Sequence, residues 1–529
     1  MQTYALTVDK FLDHAAKWFG DREIVEAHHD LGNRRTSYAA LRERSNRMSG
    51  ALSGLGLRQG DVVATLAWNT QHHLELYYAV MGAGLVCHTL NPRLSAGHLI
   101  TIINEAQDRV LAVAADLLAL WHDLAPHCPS VEHIIILDSA DDSGLPMKQV
   151  LVYEELLEQR GSASVWGDFG EETPAGLCYT SGTTSAPKGV LYTHRSNYLH
   201  TLRTLQADAM ALTANDVLLV GVPMFHANGW GLPFAAPAAG TKLVLPGRAL
   251  DGASLAQLIR DEGVTIAVGV QTVWLGLADY VEANGITLPS LRRVVIGGSS
   301  CPAALIQRME TILGAEVQTS WGMTELSPTG TIAPAGSPRG ASSTSGRPPI
   351  GIDLKLTDAQ GAMLPVQHGV EGRLWVRGQS VIDRYFKSDA QVLDAEGYFD
   401  TGDLATIDTD GNLTINGRVK DLIKSGGEWI NPTEIETVIG RHPAVRHVAV
   451  IARADARWGE RPVLIVEADE GLEPESLLGM LRDEVADWWI PGEVARIAPM
   501  PLAATGKIDK ARLRTDFAAG RITPTPLRR

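Results

Sequence analysis

The stretch Tyr179-Thr180-Ser181-Gly182-Thr183-Thr184-Ser185-Ala186-Pro187-Lys188-Gly189-Val190 gathers small, hydroxylated and cationic residues in one loop. Small residues let backbone N–H groups close on an anion, hydroxyl side chains add donors, and Lys188 brings mobile positive charge. Such a loop cradles phosphate. It is not a Walker A loop, because GxxxxGK[ST] cannot be laid over it: Lys188 precedes Gly189 instead of following a glycine. The apolar Gly176-Leu177-Cys178 just before it puts the loop at the carboxyl end of a strand, where open parallel sheets bind ligands.

Further short clusters follow in order: Pro223-Met224-Phe225-His226, Gly297-Gly298-Ser299, Trp321-Gly322-Met323-Thr324-Glu325, Tyr398-Phe399-Asp400-Thr401-Gly402-Asp403, Gly417-Arg418-Val419-Lys420-Asp421 and Thr505-Gly506-Lys507-Ile508. Together with the glycine-rich loop this series resembles the signature motifs of the adenylate-forming superfamily, which comprises acyl-CoA synthetases, adenylation domains of peptide synthetases and beetle luciferases. The resemblance runs from about residue 10 to about residue 515. Ser185 departs from it, standing where the family usually has glycine.

The resemblance implies activation of a carboxylic acid by ATP in two steps, with Mg²⁺ as metal and coenzyme A as co-substrate. A carboxylate is already ionised at pH 7, its pKa being ~4, so the first step calls for cations and oriented N–H groups rather than a base. By resemblance Lys507 bridges the carboxylate and the α-phosphate, Thr324 bonds the α-phosphate, and Glu325 holds Mg²⁺, a hard cation suited to oxygen ligands. Thr183 or Thr184 shares the metal or the outer phosphates, alongside Thr180, Ser181, Gly182 and Lys188. Adenine lies between the Gly298-Ser299-Ser300 backbone and the Trp321 ring, with Ser320, Gly322 and Met323 also in the ATP/AMP site. Asp403 accepts from the ribose hydroxyls, and Arg418 donates to the same sugar.

Phe225, His226, Trp230 and Gly298 border the acyl pocket, with Trp230 as its gate and His226 beside the substrate carboxylate. For the second step the resemblance implies rotation of the C-terminal lobe about Lys420. The turn withdraws Lys507 and brings in Lys424-Ser425-Gly426-Gly427-Glu428-Trp429, whose adjacent glycines let the chain approach a narrow pantetheine arm. The sequence ends at Arg529, which leaves after Lys507 no length for a carrier domain and makes free coenzyme A the expected acceptor over a carrier protein.

The segment Phe225-His226-Ala227-Asn228-Gly229-Trp230-Gly231, with Ala67-Trp68-Asn69 and His88 to Leu94, is most similar to bacterial medium-chain fatty acyl-CoA ligases. Ligases for short thioether and aryl acids share much of it. A luciferase-type oxygenase and a non-enzymatic binder are rival readings; CoA-dependent AMP release without light opposes the first and acid-dependent exchange of pyrophosphate into ATP the second. By analogy the resemblance also implies a homodimer.

These residues must be carried by large domains. At 529 residues, with 45% hydrophobic and 20% charged, the chain can bury more than one core. Helical spacing over Val8 to Phe19 and Tyr38 to Leu57 alternates with short apolar runs at Val62 to Leu66, Val110 to Val113, Ile134 to Leu137, Val217 to Val220, Leu243 to Leu245, Ile266 to Val270 and Val294 to Ile296. Alternation of this kind implies an α/β fold with a predominantly parallel, doubly wound sheet. After about Gly351 the texture changes to short antiparallel strands at Leu354 to Leu356, Gly372 to Val376, Ala405 to Ile407 and Leu413 to Ile415. A small α+β unit follows, with helices from Pro432 to Ile439 and from Pro474 to Val485. The expected division is a large layered domain at 1–417, a hinge at 418–421 and a small mobile domain at 422–529.

A net charge of −15, from 46 Lys and Arg against 61 Asp and Glu, disfavours nucleic acid. Four scattered cysteines without a CxxC pair, an N-terminus without a signal-peptide core and no run of 18 apolar residues together lead us to expect a cytoplasmic protein without membrane insertion.

Overall fold

A computed structural model describes residues 1–28, 32–138, 150–180, 187–298, 301, 303–336, 344–426, 428–469, 471–482, 484–503 and 507–527. Among the described residues the expected layered arrangement holds two mostly parallel sheets, not one doubly wound sheet. One has seven strands in the order Val150–Val152, His133–Ile136, Val110–Val113, Val62–Leu66, Val86–Thr89, Pro174–Thr180, Lys188–Thr193. The other has eight: Thr329–Ile332, Glu316–Gly322, Arg293–Gly297, Ile266–Val270, Val217–Val220, Lys242–Leu245, Glu23–Glu26, Arg34–Ser37. Each is mostly parallel; the eight-stranded sheet has an antiparallel pair at both edges, the seven-stranded one only where Pro174–Thr180 meets Lys188–Thr193.

The split has a packing reason. Helices Asp9–Trp18, Tyr38–Gly54, Gln71–Gly82 and Leu232–Ala239 lie between the sheets in one shared core. That core joins Val63, Cys87 and Val110 of one sheet to Leu218, Val220 and Leu243 of the other. Every residue of Gln71–Gly82 is buried, so this helix has no outer face and shows no amphipathic period in the sequence. The outer faces carry their own helical layers, with Leu99, Ile102 and Trp121 on the seven-stranded sheet and Leu255, Ile259, Trp274 and Ile306 on the eight-stranded one.

Beside them stands an antiparallel sheet in the order Ile352–Thr357, Glu371–Gly378, Phe399–Ile407, Leu413–Arg418. Its inward residues alternate along Phe399–Ile407, as a sheet with one covered face requires. The C-terminal unit is a separate α+β domain. Its sheet centres on the long hairpin Val445–Asp455 and Gly459–Ala468, backed by helices Pro432–Ile439 and Pro474–Leu481. The second helix stops at Leu481 rather than continuing to Val485. Leu477, Leu478 and Leu481 complete its buried face, and Arg482 turns extended. Among the described residues no helix is long and apolar enough to cross a membrane.

Candidate active site

Strands Pro174–Thr180 and Lys188–Thr193 form an antiparallel hairpin whose last pair is Thr180 with Lys188, so the strand pairing itself sets the mouth of the glycine-rich loop. Ser181, Gly182, Thr183, Thr184 and Ser185 lie outside the described residues. The Lys188 ammonium sits 4.7 Å over the Tyr385 ring. The Tyr385 hydroxyl in turn donates to Glu325 Oε1 at 2.8 Å. One residue on, Phe386 donates its N–H to the Gly189 carbonyl at 2.8 Å. Sequence reasoning did not single out Tyr385 or Phe386, because neither belongs to a motif with chemistry of its own.

Glu325 is buried, and desolvation raises its pKa above the usual carboxylate value against the opposing pull of Tyr385, Arg418 and Lys188. Its remaining oxygen valences suit a hard cation. Among the described residues no cluster of three or more candidate metal ligands occurs, so a Mg²⁺ held by Glu325 would take most of its shell from phosphate and water. Thr324, next to it, is anchored through its carbonyl by the Tyr192 hydroxyl at 2.8 Å.

Asp403 and Arg418 come from neighbouring antiparallel strands and are direct cross-strand partners. Arg418 Nε stands 2.7 Å from Asp403 Oδ1, and the Trp321 indole N–H donates to Oδ2 at 2.9 Å. Burial raises the Asp403 pKa, opposed first by Arg418. A carboxylate so held is aimed and still has lone pairs for further donors. The expected adenine partner Trp321 therefore also steers the expected ribose partner. Its ring packs on Gly330, where a Cβ would come within 2.4 Å, and Gly322 is pressed onto the Pro328 carbonyl. Met323 N–H donates to that same carbonyl at 3.0 Å, and Ser320 Oγ to the Ile296 carbonyl at 3.0 Å. Of the adenine-side residues, Ser299 and Ser300 lie outside the described set.

The chain from Ala227 to Gly231 is a left-handed turn, with φ of 44°, 53°, 59°, 55° and 73°. Its non-glycine members cost ~1–2 kcal/mol each in that region. The turn delivers the Trp230 indole to Gly297, where a Cβ would meet it at 2.9 Å. Asn69, with no ionisable group to mark it, supports the approach: Nδ2 donates to the Val220 and Val222 carbonyls at 2.8 Å, and Oδ1 accepts from Met224 N–H at 2.7 Å. Phe225 is buried, and burial lowers the His226 pKa to about 4, with Lys507 adding repulsion. His226 is therefore neutral at pH 7.

Lys507 reaches this place from the C-terminal domain. Its Cε lies 3.4 Å from where a Cβ of Gly298 would stand. Burial, followed by repulsion from Arg418, lowers its pKa to about 8, while Asp403 pulls the other way. Lys420 lies in the short helical turn Val419–Asp421, and burial lowers its pKa too. Trp429 is 53% exposed, with the Lys424 ammonium 5.5 Å from its ring. Ser425 is buried and accepts from Arg461, and Gly426 adopts φ +62° against the Trp458 ring. Gly427 lies outside the described residues. The structure thus brings Lys507, Gly298, Trp230, His226, Asp403 and Arg418 together.

Residues 12–386 match the AMP-binding enzyme family, and residues 434–507 match the AMP-binding enzyme C-terminal domain. The chain belongs to the AMP-binding enzyme family. It is 42% identical to a medium-chain-fatty-acid–CoA ligase of Ectopseudomonas oleovorans, over 98% of this chain and 97% of that protein. Likewise it is 41% identical to a 3-methylmercaptopropionyl-CoA ligase of Ruegeria lacuscaerulensis, over 98% of both. Among solved structures, an anthranilate CoA ligase in complex with anthranoyl-AMP superposes with a TM-score of 0.88 at 24% identity, covering 98% of this chain and 99% of that one. As an AMP-binding enzyme of this kind the chain is an AMP-forming acyl-CoA synthetase, with ATP and coenzyme A as co-substrates.

Proposed function

We propose that the acid is a medium-chain fatty acid, that Lys507 is the cation of the adenylation step, and that the reaction runs in the cytoplasm. The observation that carries the reading is the position of the Trp230 indole against Gly297, one residue from the glycine on which Lys507 rests. An apolar gate next to the reacting centre suits an acid whose carboxylate must reach a cation while its chain stays in an apolar tunnel. Such a tunnel gains about 0.8 kcal/mol per buried CH₂.

In the first step a carboxylate oxygen attacks the α-phosphorus and pyrophosphate leaves. Lys507 bridges the two anions and binds the transition state, with its shared charge, more tightly than either ground state. Asp403 accepts from the ribose hydroxyls while Arg418 and Trp321 aim it, and the Trp321 side of the pocket faces adenine. Glu325 would hold Mg²⁺, with Thr183 or Thr184 sharing the metal or the outer phosphates; the ion would supply screening of the phosphate charge. His226, being neutral, adds no like charge beside Lys507 and can donate to the substrate carboxylate.

In the second step the CoA thiolate attacks the acyl carbonyl and AMP leaves. Lys507 occupies the approach, so the C-terminal domain, 422–529, turns about the 418–421 hinge and presents the Lys424 to Trp429 loop. The arrangement described above, Lys507 inside and Trp429 exposed, suits the first step. A short thioether acid is the second reading, favoured by the near-equal similarity to the 3-methylmercaptopropionyl-CoA ligase. CoA-dependent AMP production across straight-chain acids of graded length, with 3-methylthiopropionate and benzoate alongside, separates them. A maximum at medium chain length is expected, and a maximum at the thioether or the aryl acid overturns the fatty-acid assignment.

A further inference from the structure

Arg203 is 3% exposed, and among the described residues it makes no ion pair. Burial alone lowers its pKa to about 10, so it stays charged at neutral pH in a place where an unpaired cation is costly. Its hydrogen bonds say what it holds. Nη2 donates to the Thr329 carbonyl at 2.8 Å and to Ser380 Oγ at 2.9 Å. Ser380 Oγ passes on a donation to the Leu326 carbonyl at 2.9 Å. From the other side the Ser327 hydroxyl donates to the Ser380 carbonyl at 3.0 Å, and Ile382 N–H to the Glu325 carbonyl at 3.0 Å. The Thr329 N–H donates to His200 Nε2, one helical turn before Arg203, at 3.1 Å.

Residues 324–329 are thus gripped through backbone groups at Glu325, Leu326 and Thr329 and through the Ser327 hydroxyl. The short helical turn Thr324–Leu326 could not fix itself: it is one turn long, with most of its backbone groups outside regular structure. A guanidinium can spend one nitrogen on two acceptors while its planar fork is locked by packing.

We propose that Arg203, acting through Ser380 and Thr329, is a positioning residue for the adenylation step, fixing the turn that aims Thr324 and Glu325. The proposal rests on the reading of Glu325 as the Mg²⁺ residue. Neither Arg203 nor Ser380 belongs to any of the sequence motifs, and neither touches the reacting groups.

The test is acid-dependent pyrophosphate exchange at graded Mg²⁺ with Ser380→Ala, Arg203→Gln, Arg203→Lys and Glu325→Gln, against thioester formation from supplied acyl-adenylate. Ser380→Ala and Arg203→Gln are expected to raise the Mg²⁺ needed for half-maximal exchange by roughly tenfold, the scale of lost outer-shell support. Thioester formation should stay within about twofold, and Arg203→Lys, which keeps charge but not the fork, should fall between. Equal losses in both half-reactions, or an unchanged Mg²⁺ response in both Ser380→Ala and Arg203→Gln while Glu325→Gln shifts it, overturns the proposal. An unchanged response in Glu325→Gln itself overturns the metal reading and the proposal with it. If Arg203→Gln does not fold, Ser380→Ala, which removes one hydroxyl, decides alone.

Discussion

Lys507 of the C-terminal domain rests on Gly298 of the large domain, its Cε 3.4 Å from the position a Cβ would take there. This single contact brings a cation from the smaller unit into the larger one's ligand crevice. With Lys507→Ala, adenylation should fall on the order of 10²–10³-fold, the loss typical of one charge-stabilising donor. Thioester formation from supplied acyl-adenylate should change little. The two half-reactions measured separately check this, and equal losses would assign the lysine a structural role.

The depressed pKa of Lys507, about 8, sets a pH limit. As the proposed bridging cation Lys507 must be protonated, so kcat/KM for adenylation, which reports the free enzyme, should fall as pH rises through about 8. Bound nucleotide adds negative charge and should move the limb in kcat to higher pH. In the slower Lys507→Arg enzyme the limb should vanish, since arginine stays charged. The stability sign is opposite. The folded state binds this proton more weakly than the unfolded chain, so the group's contribution to stability rises with pH between about 8 and its ordinary value of 10.5. A pyrophosphate-exchange pH profile that keeps the same limb in Lys507→Arg would place its origin elsewhere.

Gly330 has no room for a side chain, since a Cβ would meet Trp321 at 2.4 Å. Gly330→Ala should displace the ring and with it the 2.9 Å bond to Asp403. We expect a weaker ATP affinity together with about 1–3 kcal/mol of lost stability, the usual cost of overpacking. Isothermal titration with ATP and denaturant unfolding measure both; unaltered ATP binding would detach Trp321 and Asp403 from the nucleotide.

Trp230→Ala should change the acid profile more than the KM for ATP. Where the ring limits the tunnel, each newly accommodated methylene should gain about 0.8 kcal/mol, roughly fourfold in kcat/KM. Competition between acids of different length reads this directly, and an unchanged profile removes Trp230 from the gate.

Lys420→Pro should spare adenylation and slow thioester formation, because a ring-fixed φ impedes rotation at that residue. Normal overall turnover would place the hinge elsewhere in 418–421.

The glycine-rich loop was readable from residue type as an anion cradle, because such a site needs particular donors and cations; the roles expected of the other motif residues came from the resemblance to the adenylate-forming superfamily. The strands around them were also legible: short apolar runs at Val62, Val110, Val217 and Ile266 begin observed strands. Helix Gln71–Gly82 was not, since burial on every side removes the amphipathic period that reveals a helix. For the same reason the assignment of each strand to one of the layered sheets escaped the sequence: apolar strands covered on both faces look alike whichever sheet holds them.

By itself, then, the sequence, through its resemblance to a known superfamily, supplied the kind of chemistry, the candidate residues and the expectation of a separate C-terminal domain. Only the tertiary structure decided which of those residues meet. The pairing register of two antiparallel strands set Asp403 against Arg418. Packing between domains put Lys507 on Gly298. A buried guanidinium far from any motif came to hold the Thr324–Glu325 turn. Such relationships arise from close packing of segments distant in the chain, and no local pattern of residue types encodes the distance between two side chains.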